Sequence, residues 1–260
     1  MTVKNLLAAV GSLVAVGFLS VTLVAQTATA ARHDGDIQTA VTQRLDARNQ
    51  FANVRSSVED GIVTLTGTVD LYQRKLDAAK LARKAQSVAG VRNLITVAGP
   101  NVADAKLEDK LATKLRYVRS GYDSAFIYFA LGVKDGVVTV EGQDRTGVGR
   151  DDALAAIANM PGVKDVVDSI GVAPVSPLDD GIRLRTARAI YRDSVLSKYA
   201  LDPGKPIRIV VANGKVTLYG SVDNAMDKQV AGLRANQVFG VFAVDNKLEI
   251  ESNKADQPGM

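Results

Sequence analysis

Val58-Glu59-Asp60-Gly61-Ile62-Val63-Thr64-Leu65-Thr66-Gly67 is a hairpin written in ten residues. Asp-Gly is the strongest short-range turn signal, and the apolar residues after it alternate as in a half-buried strand. The phrase returns as Val133-Lys134-Asp135-Gly136-Val137-Val138-Thr139-Val140-Glu141-Gly142. It returns again as Val211-Ala212-Asn213-Gly214-Lys215-Val216-Thr217-Leu218-Tyr219-Gly220. In each copy the turn glycine precedes Thr by three residues and a second glycine by six. A valine follows that second glycine by 21 residues every time: Gly67 to Val88, Gly142 to Val163, Gly220 to Val241. Nine residues further on stand Val97, Val172 and Ile250. Identical internal spacing in three copies defines a repeat. A period of about 75 residues is too long for a solenoid unit, so each copy reads as a small domain. A unit this short buries a thin core, which gives neighbouring copies reason to pack together.

Outward from each hairpin the pattern is the same. A helix comes first, with Ile37, Val41 and Leu45 on one face, then Leu107, Leu111 and Leu115, then Ile182, Ala189 and Ile190. Asp36, Asp104 and Asp179 stand near its start, where a carboxylate is expected to cap free N–H groups and meet the positive end of the dipole. After the hairpin a second helix carries Ala78, Ala82 and Ala85; Ala153, Ile157 and Met160; Ala231, Ala235 and Val238. A last strand alternates Val91, Ile95 and Val97; Val166, Ile170 and Val172; Val244, Leu248 and Ile250. The expected fold class is α+β: three tandem αββαβ domains, each a three-stranded sheet packed against two helices. Gly99-Pro100 and the stretch from Pro174 to Pro177 punctuate the joins. The expected domains are 31–99, 103–173 and 178–251, with a loose polar tail over 252–260.

Residues 1–30 read as an export signal. Lys4 supplies a positive start, Leu6 to Val24 is charge-free and apolar, and Ala28-Thr29-Ala30 is a cleavage site. An uncleaved anchor is the competing reading, since about 20 apolar residues span a bilayer. The expected address is the periplasm, where the absence of cysteine suits an oxidising compartment.

Composition removes other functions. Without Cys there is no thiol catalysis, Cys–zinc site or iron–sulfur cluster. The single histidine, His33, leaves little for a catalytic triad or a multi-histidine metal site. Aromatic residues are 5% and Trp is absent, which argues against stacking platforms for nucleic acid. No cofactor, metal or nucleic-acid partner is expected.

An exported chain of αββαβ units resembles tandem BON domains. The resemblance rests on the three hairpins and on the exit strands Val91-Arg92-Asn93-Leu94-Ile95-Thr96-Val97, Val166-Val167-Asp168-Ser169-Ile170-Gly171-Val172 and Val244-Asp245-Asn246-Lys247-Leu248-Glu249-Ile250. Copy two departs with Asp168 for Asn and a glycine-rich, acidic helix start over Gly147 to Asp152. Copy one has Ser87 where the others have Gly162 and Gly240. The resemblance implies osmotic-stress or envelope-maintenance work in the periplasm, by non-catalytic binding of phospholipid or an envelope protein.

Site candidates are sparse. Gly142 to Gly149 contains the G-x(4)-G spacing of a phosphate loop but lacks the Lys-Ser/Thr that would reach phosphate and Mg²⁺. Asp151-Asp152 and Asp179-Asp180 could hold Ca²⁺, yet paired acids at helix starts are usually caps. Thr64, Thr139 and Thr217 fit ordinary strand positions, and Phe126, Tyr128 and Phe129 fit core and strand partners. Charge separates the copies: residues 31–102 carry 10 basic and 7 acidic groups, residues 103–173 carry 9 and 11, and residues 174–260 carry 12 and 10. Lys80, Arg83 and Lys84 gather on the outer face of copy one's second helix, where copy two has Ala155, Ala158 and Asn159 and copy three has Leu233, Asn236 and Gln237. They are the candidate lipid-binding residues, for peripheral contact with anionic phospholipid. A solvated helix face is the plainer reading. An envelope enzyme using carboxylates only is the alternative function.

Overall fold

A computed structural model describes residues 33–118, 125–201 and 206–251. The segments expected as export signal and loose tail lie outside the described residues.

Copy one runs α1 (Asp34–Asp46), β1 (Val54–Glu59), β2 (Ile62–Val69), α2 (Tyr72–Arg83), β3 (Gly90–Asn93) and β4 (Thr96–Val97). Copy two runs α3 (Asp104–Val118), β5 (Tyr128–Lys134), β6 (Val137–Asp144), α4 (Gly147–Ala158) and β7 (Asp165–Val172). Copy three runs α5 (Pro177–Tyr191), a short α6 (Lys198–Leu201), β8 (Arg208–Ala212), β9 (Lys215–Tyr219), β10 (Ser221–Val222), α7 (Ala225–Asn236), β11 (Ala243–Asn246) and β12 (Glu249–Ile250). The order is αββαβ in all three.

Each sheet is built alike. The hairpin strands pair antiparallel, and the exit strand returns parallel to the second of them after a helical crossover. The middle strand is therefore the most buried: Val63 and Leu65, Val138 and Val140, Val216 and Leu218 are all sealed from water. In copies one and three the exit strand is interrupted after Asn93 and Asn246; in copy two it runs unbroken from Asp165 to Val172.

The first helix of each copy presents a stripe at four-residue spacing: Ile37, Val41 and Leu45, then Leu107, Leu111 and Leu115. Copy three corrects the expected stripe. Ala189 is only half-buried, and Thr186 takes the inward position between Ile182 and Ile190. A polar residue in a buried stripe escapes a search for apolar periodicity. The Thr186 hydroxyl is buried without a hydrogen-bond partner.

The described residues fall into two compact units, 33–69 with 74–96, and 70–73 with 97–251. Within the second unit, copies two and three are joined. Phe126, ahead of β5, is buried in copy three's core beside Ile190, Ile207 and Ile209 rather than in its own copy's core. The Tyr128 and Tyr219 rings stack with centroids 3.9 Å apart and planes within 9°. Arg208 donates to the Ile127 carbonyl at 3.1 Å, and Arg145 meets Asp180 at 3.3 Å.

Candidate functional site

The hairpin turns are held by a carboxylate far away in sequence. Asp60 and Gly61 both donate backbone N–H bonds to Asp34, at 2.9 and 2.8 Å. Asp135 and Gly136 donate to Asp104 at 2.7 and 3.0 Å. Asn213 and Gly214 donate to Asp179 at 3.0 and 2.8 Å. Tight turns leave these amides pointing outward in pairs, and one carboxylate satisfies both. Asp36, expected as the helix cap, is exposed, and it is Asp34 that reaches the turn. The signal was legible as a constant gap: each tying Asp precedes the first inward residue of its helix, Ile37, Leu107 or Ile182, by three. Nor do Asp104 and Asp179 act as caps of their own helices. In copy three that work falls to Ser176, whose hydroxyl accepts from the Asp179 N–H.

Turn backbones explain the glycines. Asp60, Asp135 and Asn213 lie at φ near +50°, with Gly61, Gly136 and Gly214 after them, as a type I′ turn requires. The second glycine answers a close approach. A Cβ on Gly67 would fall 1.9 Å from the Asn53 carbonyl oxygen, and one on Gly142 1.9 Å from that of Tyr128. That contact accounts for the glycine at the start of the phosphate-loop spacing, which stands inside β6.

The exit strands are anchored in two ways. Asn93 donates to the Lys75 carbonyl and Asn246 to the Lys228 carbonyl, each at 2.7 Å. Asp168 has no N–H to donate. Instead it accepts from Arg150, the residue that stands where the other copies have Lys75 and Lys228. Copy two's departures are thus a compensated pair.

Other carboxylates are also occupied. Both oxygens of Asp179 are held by the turn, and Asp180 pairs with Arg183 and Arg145. Asp193 is held below its usual range by the Val195 amide and then Arg234. Burial pushes Asp227 upward, but bonds from Lys198 and Tyr199 outweigh it and the net shift is downward. Burial and the Asp227 bond push the Tyr199 hydroxyl up to about 12. Asp193 and Asp227 are thus anchored acids shifted downward, unlike the raised, proton-holding carboxyl of a general acid. Asp151 is exposed beside Arg150 at 3.8 Å, and His33 is exposed at the start of α1.

Lys80, Arg83 and Lys84 are all exposed, while Ala78, Ala82 and Ala85 of the same segment are buried. Lys80 and Arg83 occupy the last turn of α2, and Lys84 follows it directly. Among the described residues none of the three has a salt-bridge partner. Cations there favour the helix through the negative end of its dipole, which is a structural reason for them. The same arrangement also leaves three neighbouring positive charges facing water.

Two solved structures align along most of the chain. Both are of CdsD, a structural protein of the type III secretion system of Chlamydia trachomatis, the second being its C-terminal domain. Identities are 16% and 15%, covering 88% and 84% of this chain and 99% and 96% of those chains, with TM-scores of 0.25 and 0.23. No curated protein matches. The family model for the BON domain matches residues 33–99, 130–174 and 189–252. Asp104 and Asp179 fall outside the matched segments, yet they tie their turns as Asp34 does. With three matches spread over more than half of its length, the chain belongs to the BON-domain family and carries the domain three times.

Proposed function

We propose that this is a non-catalytic binding protein of the cell envelope that attaches peripherally to anionic phospholipid. The observation that carries the reading is the exposed, unpaired group Lys80, Arg83 and Lys84, found in copy one alone. BON membership supports the ligand class through the resemblance, and the occupied carboxylates support a binding role over hydrolysis. Each cation near an anionic surface contributes roughly 1 kcal/mol, so attachment through these three is weak and falls with salt. The proposed address is the periplasm, reached by cleavage after Ala30. Intact mass of the protein from the envelope checks that point: a mass retaining residues 1–30 makes it a membrane-anchored protein instead.

The site is tested by changing Lys80, Arg83 and Lys84 together to Gln and measuring sedimentation with phosphatidylglycerol-containing vesicles. The variant is expected to lose most of its binding at low salt and differ little from wild type at moderate salt. Equal binding by both proteins removes these residues from the site.

A further inference from the structure

Copy three ends in an apolar pole that neither other copy has. Phe239 and Phe242 are 87% and 89% exposed, on the loop between α7 and β11. Their positions follow from the repeat. The Phe242 N–H donates to the Gly214 carbonyl at 2.9 Å, as Ala89 does to Gly61 and Lys164 to Gly136. The fold needs that N–H, but not a ring. Corresponding residues are Gln86 and Ala89 in copy one and Pro161 and Lys164 in copy two. Val241, between the two rings, packs against the core. The loop is therefore held by its middle while both rings face water, at an apolar cost that folding does not explain.

Further apolar side chains gather at the same end. Asp179 ties the start of α5 to the turn at Asn213 and Gly214. Leu178 beside it is 80% exposed and Val175 is 96% exposed. Phe242 lies against the same turn: a Cβ on Gly214 would meet its ring at 2.4 Å. Positive charge borders the pole. Arg185 donates to the Phe239 carbonyl at 3.3 Å. Arg188 and Arg192 continue from it at three- and four-residue spacing, all three exposed and without a carboxylate partner among the described residues. The nearby acids are occupied, Asp179 by amides, Asp180 by Arg183 and Asp245 by Lys215.

We infer that Phe239 and Phe242 form a wedge that enters the acyl boundary of an anionic bilayer, with Arg185, Arg188 and Arg192 on the headgroups. Apolar burial combined with a basic strip is the pairing that stable peripheral residence requires, since either signal alone is marginal. The inference rests on the lipid reading above and supplies the apolar contact that three lysine and arginine charges lack. Rings bordered by unpaired cations favour a lipid surface over a second copy of the chain, whose own pole would bring like charges together.

The chain has no tryptophan, so Phe242→Trp introduces a single reporter. The test uses residues 31–260, because the apolar run before them would itself enter vesicles. With phosphatidylglycerol–phosphatidylethanolamine vesicles, the emission is expected to shift blue and to be quenched by lipids brominated on the acyl chain. A Phe239→Ser, Phe242→Ser double variant is expected to bind these vesicles about tenfold more weakly or worse, with unchanged thermal unfolding. If the protein sediments with vesicles but the indole stays water-exposed, the wedge is wrong and the lipid reading stands. If nothing sediments, both fall. A blue shift without lipid that grows with protein concentration assigns the pole to self-association and overturns the wedge.

Discussion

Copy one and copy three share a fold and differ in what they show to water. Both have the tied turn, the close-approach glycine and the Asn-anchored exit strand. Copy one presents Lys80, Arg83 and Lys84 at the end of its second helix; copy three has Leu233, Asn236 and Gln237 there. Copy three presents Phe239 and Phe242 where copy one has Gln86 and Ala89. The difference teaches which positions build the domain and which are free for work. Backbone-satisfying residues repeat, whereas exposed positions diverge into a basic face on one copy and an apolar pole on another.

The shared positions give the strongest way to break this comparison. Gly67→Ala or Gly142→Ala puts a methyl group into a carbonyl oxygen at a positive φ, and each is expected to cost about 3 kcal/mol or more. Gly220→Ala is milder, because the nearest oxygen, that of Pro206, is 2.8 Å away. Denaturant unfolding measures each; equal, small effects would show that close approach does not set these residues.

Removing the tying carboxylate comes next. Asp179 is 3% exposed, so Asp179→Ala leaves the buried Gly214 amide without a partner, while the amide of exposed Asn213 turns to water, and costs about 2 kcal/mol. Asp34 is half-buried, water replaces it, and Asp34→Ala costs about 1 kcal/mol. Amide hydrogen exchange at the turns should follow the same order, faster at Asn213 and Gly214 than in wild type.

The join between copies two and three can be tested through its ring pair. A double-mutant cycle of Tyr128→Ala and Tyr219→Ala is expected to give a coupling of about 1 kcal/mol. Zero coupling would remove the stack from the account of why these copies form one unit.

Small departures sharpen the comparison. Thr186→Val swaps an unpartnered buried hydroxyl for a methyl of like shape, matching Val41 of copy one, and should stabilise by about 1 kcal/mol. Ser87 sits at φ 64°, where copies two and three have glycine, so Ser87→Gly should stabilise copy one by up to about 1 kcal/mol. Thermal unfolding of each variant reads the sign.

Most of the fold was legible because it is written three times. The Asp-Gly turns, the apolar stripes and the constant spacing gave αββαβ, and the structure has that order. What stayed hidden was long-range and polar. A carboxylate near a helix start reads as a cap, which points to Asp36, whereas the bond from Asp34 to a turn 26 residues on has no local mark. Thr186 is polar and so carries no apolar signal, and nothing local to Phe126 says which copy's core it enters. The basic cluster was visible from helical spacing alone. The phenylalanine pole was not, since exposure of an apolar residue is a property of the folded surface.

The central claim is attachment to anionic lipid, and wild-type protein tests it most directly. Residues 31–260 are titrated with vesicles of phosphatidylglycerol and phosphatidylethanolamine, and separately with neutral phosphatidylcholine vesicles, at low and moderate salt. The account predicts sedimentation with the anionic vesicles that weakens as salt rises, and little with the neutral ones. No binding to either, or equal binding to both at every salt, would contradict it.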